Sequence, residues 1–421
     1  MSTHASTTAA AVRLLGAPNS PRAFEIRDFL SRSVVAYQWI ELDEASARAL
    51  PGIQGLDDPN LPLCEFPDGT RLLGATVPDI AQRLGWVRTP RLRQYDVSIF
   101  GAGPAGLSAA VYAASEGLKT ILVERQAIGG QAGNSSLIEN YLGFPHGIGG
   151  ADLAERARQQ AVRFGAEILR LNHGVHTLFV DGCIQVDLAD GTQLRARSNI
   201  CATGITWRRL GLPGEDRLLG AGVFYGAGSS EAPMCAGETV YVVGGGNSAG
   251  QAAMHLSRYA KEVVMLVRGE RLSDTLSDYL LRKIGSTHKI RVVSSAEITA
   301  LAGDHRLQQI TVRDRRDGRE QSLPASHVFV CIGGLPRTEW AKDTAIVRDA
   351  AGYLVTGPDL MTEPGKYAQW PLERPPFHLE SSVPGCFAAG DVRHDSIKRV
   401  ASAVGEGAMA VAFVHRHLST L

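Results

Sequence analysis

The chain of 421 residues is long enough for two or three domains, each with its own core. Its 43 lysines and arginines balance its 43 aspartates and glutamates, so no overall positive field points to nucleic acid or an anionic membrane. The polar N-terminus lacks the apolar core of a secretory signal, and no apolar run approaches the ~20 residues that span a bilayer. We therefore expect a cytoplasmic protein without a membrane or nucleic-acid partner.

Six cysteines are scattered along the chain, and no C-x-x-C pair occurs. Structural zinc sites and disulfide frameworks use closely and regularly spaced cysteines. The cysteine spacing therefore predicts neither a metal site nor a disulfide scaffold.

The first block of the chain, residues 11–87, alternates short apolar runs with helical patterns. Strands are predicted at Val12–Leu15, Val34–Leu42 and Leu61–Phe66, and helices at Ser20–Ser31 and Thr76–Leu84. Asp68 and Gly69 form a dipeptide typical of a hairpin turn. Residues 88–93 are basic, contain Pro90 and show no periodicity, so they are predicted to form a linker.

The second block opens with a dinucleotide-binding fingerprint. The predicted strand Tyr95–Phe100 runs into a G-x-G-x-x-G turn and an alanine-rich helix, and this context makes the motif specific. Glycines let a pyrophosphate approach the helix N-terminus, where unpaired N–H groups favour anions. The next strand, Thr120–Val123, is followed by a carboxylate suited to ribose hydroxyls. The candidate binding residues are Gly101, Gly103, Pro104, Ala105, Gly106 and Glu124.

A second copy of the fingerprint follows the predicted strand Val240–Val243 and makes the unit an internal repeat. The matching second strand, Val263–Val267, ends at Arg268 where the first copy has its carboxylate. An arginine there can pair with a 2′-phosphate, so NADP is favoured over NAD. The negative charge of Glu270 would repel a phosphate group, and the positive charge of Arg271 would partly offset that repulsion. NAD therefore remains an alternative cofactor. The candidate residues of the turn are Gly244, Gly246, Asn247, Ser248 and Ala249.

Several short motifs beyond the fingerprints are shared with one family. They are Ile128-Gly-Gly-Gln131, Ile138-Glu-Asn-Tyr141, Ala202-Thr-Gly204, Ile332-Gly333 with Pro336, and VPGCFAAGD at residues 383–391. From about Tyr95 to the C-terminus, the chain resembles the low-molecular-weight thioredoxin reductases of the pyridine nucleotide–disulfide oxidoreductases. Its closing segment is most similar to members fused to an extra N-terminal module.

This resemblance implies an FAD site on the first fingerprint and a nicotinamide site on the second. It implies that Gln131 and Asn140 lie near the flavin, that Asp391 binds the ribitol chain, and that a helix beginning near Arg399 points its N-terminus at the flavin. A helix dipole there would stabilise the negative charge of reduced flavin. A homodimer and a rotation of the nicotinamide domain, with hinges near residues 213–222 and 333–336, are also implied. The implied flavin-site residues are Gly130, Gln131, Asn140, Gly390, Asp391, Arg399, Val400 and Ala401.

The chain departs from this family at the redox-active dithiol. In thioredoxin reductases a C-x-x-C precedes the second fingerprint and passes electrons from flavin to thioredoxin. Here its two positions fall on Gly226 and Ser229, neither of which can form a disulfide. Cys235 is the nearest thiol and has no partner in the sequence, so we interpret it as a buried cysteine.

The N-terminal block resembles a glutaredoxin or thioredoxin fold that has also lost its dithiol. Ser20 and Ala23 occupy the positions of a C-P-x-C, and Leu61-Pro62 matches the cis-proline beside the usual dithiol. Cys64 follows that proline and is interpreted as a packed strand residue. The block is therefore expected to be redox-silent and suited to docking a partner or a second subunit.

Together these features predict an α/β chain with two Rossmann-type dinucleotide-binding domains and a small N-terminal thioredoxin-like domain. The predicted bounds are 11–87 for the N-terminal domain, 88–93 for the linker, 94–213 and 335–421 for a split FAD-binding domain, and 214–334 for an inserted NAD(P)H-binding domain.

Three functions are compatible with the sequence. The favoured one is an FAD-dependent NAD(P)H oxidoreductase, in which hydride passes to flavin and electrons go directly to a small electron-carrier protein, a quinone or an organic substrate. Because the cofactors carry that chemistry, no catalytic side chain is assigned and no metal is expected. The second is a disulfide reductase that uses Cys235 and Cys64, and the third is a catalytically quiet redox sensor or interaction protein.

Overall fold

The computed structural model describes residues 12–18, 20–180, 182–226 and 231–421. Ser229, a predicted dithiol position, lies outside the described residues, as do residues 1–11, where the N-terminal domain was predicted to begin. The chain divides into two compact units. One combines the segment ending at Arg83 with Trp207–Gly333, and the other combines Leu84–Thr206 with Gly334–Leu421.

Within the described residues, the N-terminal segment of the first unit forms a four-stranded mixed sheet with helices beside it. Its elements are β1 (Val12–Gly16), α1 (Pro21–Arg32), β2 (Tyr37–Glu41), α2 (Glu44–Arg48), β3 (Leu63–Glu65), β4 (Arg71–Leu72) and α3 (Val77–Arg83). The sheet order is β2-β1-β3-β4, with β1 parallel to β2 and antiparallel to β3. Helix α1 begins where predicted, because the Ser20 hydroxyl accepts the N–H of Ala23 at 3.2 Å. The Leu61–Pro62 peptide bond is cis, as the resemblance implies.

The chain then builds most of a parallel-centred sheet in the second unit. The elements are β5 (Tyr95–Phe100), α4 (Pro104–Ser115), β6 (Thr120–Glu124), α5 (Gly150–Arg163), β7 (Glu167–Arg170), β8 (Gly174–Val180), β9 (Cys183–Leu188) and β10 (Gln193–Cys201). The short strand β11 (Ile205–Trp207) follows, where the chain passes from the second unit to the first. Strands β5, β6, β7 and β10 are parallel, and β8 and β9 extend the sheet with antiparallel pairs. All five residues of β6 are buried, which explains the apolar run Ile121–Val123 at its centre.

The next segment, in the first unit, repeats this arrangement on a second sheet. The elements are α6 (Glu215–Leu218), β12 (Val223–Tyr225), β13 (Thr239–Val243), α7 (Asn247–Leu256), β14 (Glu262–Val267), α8 (Asp278–Gly285), β15 (Ile290–Ser294), β16 (Ala296–Ala302), β17 (Gln309–Asp314), β18 (Glu320–Pro324) and β19 (Val328–Val330). Five strands in the order β12-β19-β13-β14-β15 pair in parallel. Strands β16, β17 and β18 form a separate antiparallel sheet.

The C-terminal segment completes the second unit. Its elements are β20 (Gly334–Pro336), β21 (Met361–Glu363), β22 (Lys366–Tyr367), β23 (Cys386–Ala388) and α9 (Val400–Leu418). Strand β23 pairs with β10 and makes the sheet seven-stranded. The proline-rich sequence of residues 364–376 predicts a long loop. Its first residues instead belong to a short hairpin, because β21 and β22 pair on either side of Pro364. Among the described helices, none combines the length and the apolar run that a bilayer crossing needs.

Candidate cofactor sites

The first candidate phosphate-binding turn joins β5 to α4 and contains closely packed glycines. Gly101 has a φ of +102°, and a Cβ there would lie 2.3 Å from the carbonyl oxygen of Ala202. A Cβ on Gly106 would lie 1.8 Å from the carbonyl oxygen of Gly101, so the helix can start this close to the strand only with glycine. Helix α4 begins at Pro104 with Gly103 as N-cap and without a side-chain cap. Its first turn therefore offers backbone N–H groups to an anion.

Glu124 lies at the end of β6 beside this turn and is 8% exposed. Its Oε2 accepts the N–H of Ala102 at 2.7 Å, and its Oε1 accepts the N–H of Gln126 at 2.7 Å. These two bonds fix the position of the carboxylate, and each oxygen keeps a lone pair for a ligand hydroxyl.

A cavity of about 140 Å³ opens beside Glu124 and the first turn, within the second unit. Its lining combines apolar side chains such as Val123 with the imidazole of His173. Burial, and then the neighbouring Arg125 and Arg337, lower the pKa of His173, which favours the uncharged form of the ring. A mixed apolar and polar lining of this kind suits a nucleoside.

Gly130 and Gln131 follow β6 and reach the same turn. A Cβ on Gly130 would lie 3.0 Å from the Cα of Gly103. The Gln131 Nε2 donates to the carbonyl oxygen of Ile205 at 3.1 Å, while its Oε1 is buried without a hydrogen-bond partner among the described residues. Buried acceptors are seldom left unpaired, so this oxygen points to a donor supplied by a ligand.

The turn before α9 is held by a carboxylate of that helix. The Gly390 N–H donates to Oε2 of Glu406 at 2.6 Å, and Arg393 pairs with Oε1 of Glu406 at 2.9 Å. Glu406 thereby fixes the backbone that presents Asp391. Burial raises the pKa of Asp391, Lys398 opposes that rise and Glu406 adds to it.

Helix α9 begins at Val400, as predicted, with Arg399 as its N-cap residue and no side-chain cap. The backbone N–H groups of its first turn are therefore available to a ligand. Arg399 and Ala401 are exposed, and the Arg399 Nη1 donates to the carbonyl oxygen of Lys398 at 2.9 Å. Asn140 is exposed in the loop before α5.

The second candidate phosphate-binding turn joins β13 to α7. Gly244 has a φ of +137°, and a Cβ there would lie 2.3 Å from the carbonyl oxygen of Cys331. Gly246 is the N-cap of α7 and leaves that helix without a side-chain cap, and Ser248 is exposed on its first turn. Ala249 is fully buried at the third fingerprint position, so its methyl group fits between helix and strand.

The side chain of Asn247 braces the loop between β14 and α8. Its Oδ1 accepts the N–H of Ser277 at 2.8 Å, and the nearby Thr275 hydroxyl donates to the carbonyl oxygen of Gly245 at 2.7 Å. The side-chain oxygen of Asn247 is therefore used within the protein, whereas its backbone N–H and its side-chain NH2 group are donors that it can offer to a cofactor.

Arg268 directly follows β14 and is exposed, together with Glu270 and Arg271. Arg271 pairs with Asp274 at 3.4 Å. The carbonyl oxygen of Arg268 accepts a hydrogen bond from Nη1 of Arg315 at 3.2 Å, so a third guanidinium lies beside the strand end. Cations and carboxylates thus share the surface where a 2′-phosphate would bind.

All six cysteines are free, and five of them are buried. Burial raises the pKa of Cys64, Cys235 and Cys331 to about 12 each. These groups are thiols at neutral pH, whereas disulfide exchange needs a thiolate. At the first dithiol position, a Cβ on Gly226 would lie 3.1 Å from the ring of Trp207. Within the described residues, no group of histidine, cysteine and acidic side chains is suited to hold a metal ion.

Sequence patterns missed four residues of these sites, namely His173, Thr275, Arg315 and Glu406. Three of them lie in loops or after a strand of another sheet, where no local pattern marks them. Glu406 carried a signal, because it is the one acidic residue within the otherwise apolar and basic α9.

Residues 95–407 match the pyridine nucleotide-disulphide oxidoreductase family. The thioredoxin reductase of Treponema pallidum (strain Nichols) is 34% identical over 330 residues, which are 78% of this chain and 98% of that protein. A component of the alkyl hydroperoxide reductase of Xanthomonas campestris pv. phaseoli is 32% identical over 328 residues, which are 77% of this chain but 57% of that protein. The chain therefore matches little more than half the length of the second relative.

The crystal structure of Lactococcus lactis thioredoxin reductase is similar to this chain, with a TM-score of 0.69 and 28% sequence identity. The match covers 78% of this chain and 100% of that one. The predicted α/β fold with two Rossmann-type domains is confirmed by these similarities. The chain is a thioredoxin reductase-like oxidoreductase of the flavoprotein type and belongs to the pyridine nucleotide-disulphide oxidoreductase family.

Proposed function

We propose that the chain is an FAD-dependent NAD(P)H oxidoreductase that works without a dithiol relay and prefers NADPH. One combination of features carries the proposal. The chain has two glycine turns that suit dinucleotide phosphates, yet Gly226 lies at a dithiol position and Cys235, the nearest thiol in the sequence, is buried. Electrons that reach the flavin must then leave it without a disulfide.

The residues of the first site fit FAD. The glycine turn and the uncapped start of α4 suit the pyrophosphate, and Glu124 has lone pairs for the ribose. Gln131 has a buried oxygen in need of a donor. Asp391 and the uncapped start of α9 suit the ribitol chain and the flavin, respectively.

FAD, when bound, supplies hydride acceptance from a reduced nicotinamide and electron transfer to a further acceptor. The role of the chain's own residues would be to bind the FAD and to orient it. The N-terminus of α9, with Arg399 beside it, would stabilise the negative charge of a reduced flavin bound next to it. No side chain is assigned as an acid or base.

The second site is proposed to hold NADPH. The uncapped start of α7 suits the pyrophosphate, and Arg268 and Arg315 suit the 2′-phosphate that distinguishes NADP from NAD. Glu270 is exposed on the same surface, so NADH is the second candidate donor. We propose functional domains with the sequence-based bounds given above, a rotation of the nicotinamide domain, and a cytoplasmic homodimer.

The acceptor class follows from the missing relay. Reduction of a disulfide substrate would need an exchangeable thiolate, and burial raises the pKa of Cys235 and of Cys64 to about 12. A small electron-carrier protein, a quinone or an organic substrate can take electrons from flavin directly. The burial of both thiols therefore favours direct electron transfer from flavin over a disulfide reductase that uses Cys235 and Cys64.

The test is anaerobic mixing of the purified FAD-loaded chain with NADPH or NADH while flavin absorbance is recorded. Bleaching, followed by reoxidation with quinone or one-electron acceptors but not with disulfides, is the expected result. Disulfide turnover that Cys235→Ser abolishes, and that the control Cys183→Ser retains, would replace the proposal with the disulfide reductase. A flavin that neither nucleotide bleaches would favour the quiet sensor.

A further inference from the structure

Helix α1 of the N-terminal module, defined here as residues 12–83, packs on the core of the nicotinamide-binding segment within the first unit. The ring of Phe24 meets that of Phe224 edge-on, with ring centres 5.3 Å apart. Phe224 is 2% exposed and stacks in turn on the buried Phe329 at 5.2 Å. A Cβ on Gly220 would lie 3.0 Å from the Cβ of Phe24, so the two backbones approach closely.

A second contact lies one turn further along α1. The Arg27 Nη2 lies 3.3 Å from the sulfur of Met234, which belongs to the 3₁₀ helix Ala232–Cys235. The Arg27 guanidinium also lies 5.1 Å from the ring centre of Trp39, and Arg27 is only 7% exposed. An arginine this deeply buried between two parts of the chain marks a packed interface.

The interface closes over the position of the module's missing dithiol. Ser20 and Ala23 line a cavity of about 10 Å³ together with Phe224 and Met234. That volume holds no more than about one water molecule. Gly226, at a dithiol position of the nicotinamide segment, follows directly after the strand that carries Phe224.

We propose that the N-terminal module is a fixed internal occupant of the nicotinamide domain, docked through the face where a thioredoxin-like protein would carry its cysteines. The module then moves with the nicotinamide domain as one body, although the sequence joins it to the FAD-binding segment. An external protein of the same fold finds this face already covered. This inference deepens the proposed function, because an external thioredoxin-like protein could not reach this face to accept electrons. Only that consequence for the acceptor rests on the proposed function, and the docking itself does not.

A disulfide trap tests the docking in the full chain. Phe24→Cys combined with Gly220→Cys places two Cβ atoms about 3.0 Å apart, and an opening of a few tenths of an ångström reaches the range of real disulfides. With oxidised glutathione as oxidant, we expect an intrachain disulfide identified by peptide mass, formed at least about tenfold faster than in the control pair.

The control pair is Phe24→Cys with Gly237→Cys. Gly237 has a φ of +79°, close to the +75° of Gly220, so both substitutions carry the same backbone strain, but nothing lies within 4 Å of a Cβ on Gly237. Equal rates in the two pairs, or no disulfide in the first, would overturn the docking.

Hydrogen exchange keeps the test decisive if the cysteine pairs fold poorly. Phe24→Ala should speed amide exchange in Val223–Tyr225 and Ala232–Cys235 by about tenfold or more. The matched control Phe66→Ala removes a ring of the same module that packs against Arg83, and it should leave those two segments unchanged. Unchanged exchange in Phe24→Ala would contradict the proposal.

Flavin bleaching by NADPH then shows whether the module stays docked during the reaction. The cross-linked protein should bleach within about twofold of the same protein after reduction of the disulfide. Bleaching that is lost on cross-linking and restored by reduction would show that the module must leave, and would overturn a fixed occupant. If neither form bleaches, the proposed function fails, while the cross-linking result still decides the docking.

Discussion

The carboxyl group of Asp391 shows how a single residue of the proposed flavin site acts on stability. Burial raises its pKa, so the folded chain keeps this proton up to a higher pH than the unfolded chain does. The stability of the fold therefore falls as pH rises from the unfolded pKa through the folded pKa. Above the folded pKa the penalty is fully present, and below the unfolded pKa it is absent.

Asp391→Asn is accordingly expected to raise the thermal unfolding midpoint of the FAD-free protein in neutral buffer, with a smaller gain in acidic buffer. It should also weaken FAD binding by about tenfold, as expected for loss of a hydrogen bond to a charged group. Calorimetry at several pH values and flavin titration measure the two effects. The exposed control Asp343→Asn should do neither, and a gain in stability that does not depend on pH would contradict the account.

The side chain of Arg268 is predicted to determine the preference for NADPH over NADH. Arg268→Gln should raise the KM for NADPH by about tenfold or more, because a charged hydrogen bond to the 2′-phosphate is lost. The KM for NADH should change little. Steady-state kinetics with both nucleotides measure this, and Arg319→Gln, an exposed arginine in the turn before β18, is the control. Equal losses with both nucleotides would show that Arg268 does not contact the phosphate.

At the scale of single residues, the sequence predicts those site residues whose positions are determined by neighbouring strands and turns. Gly101, Gly106 and Glu124 follow from one strand, one turn and the next strand, so their spacing suffices. Glu406 and Arg315 act on backbone that lies far from them in sequence. Only the folded chain brings these groups together, and no spacing rule could have paired them.

Helices α4 and α9 pack against each other, and each begins at a turn of the proposed FAD site. A Cβ on Gly407 would lie 2.1 Å from the carbonyl oxygen of Ala105, so the two helices touch through backbone. On the same helix, nothing lies within 4 Å of a Cβ on Gly405. Substitution of Gly407 therefore tests the packing of α9 against α4, whereas substitution of Gly405 tests only the helix propensity of α9.

Gly407→Ala should destabilise the protein by about 1–3 kcal/mol through overpacking, and should lower its flavin content. Gly405→Ala should be neutral or stabilising by up to about 1 kcal/mol, since alanine favours a helix interior. Denaturant unfolding and the ratio of flavin to protein absorbance provide the measurements. Similar effects of both substitutions would mean that the α4–α9 contact does not position the site.

At the scale of elements, the family resemblance predicted the start of one long helix, whereas the shortest strands were missed. The resemblance implies a helix beginning near Arg399, and α9 begins at Val400. The hairpin of β21 and β22 was missed because its strands have only three and two residues. So few residues show no alternation that distinguishes a strand from a loop.

For the whole molecule, the sequence predicts the repeat of two dinucleotide-binding folds but not how the N-terminal module is grouped. The module precedes the FAD-binding segment in sequence, yet it belongs to one compact unit with the nicotinamide segment. The contact between Arg27 and Met234 joins residues 207 positions apart. Neither the sequence around Arg27 nor the sequence around Met234 has a pattern that predicts this contact. The surface on which the module docks could therefore not be predicted from the sequence alone.

The central claim is that the flavin is the only redox centre between nicotinamide and acceptor. Anaerobic titration of the FAD-loaded protein with dithionite measures the electrons taken up per flavin, while absorbance follows the flavin itself. The account predicts about two electrons per flavin, since FAD alone is reduced. Uptake of about four electrons, with two consumed before or after the flavin bleaches, would reveal an additional disulfide and contradict it.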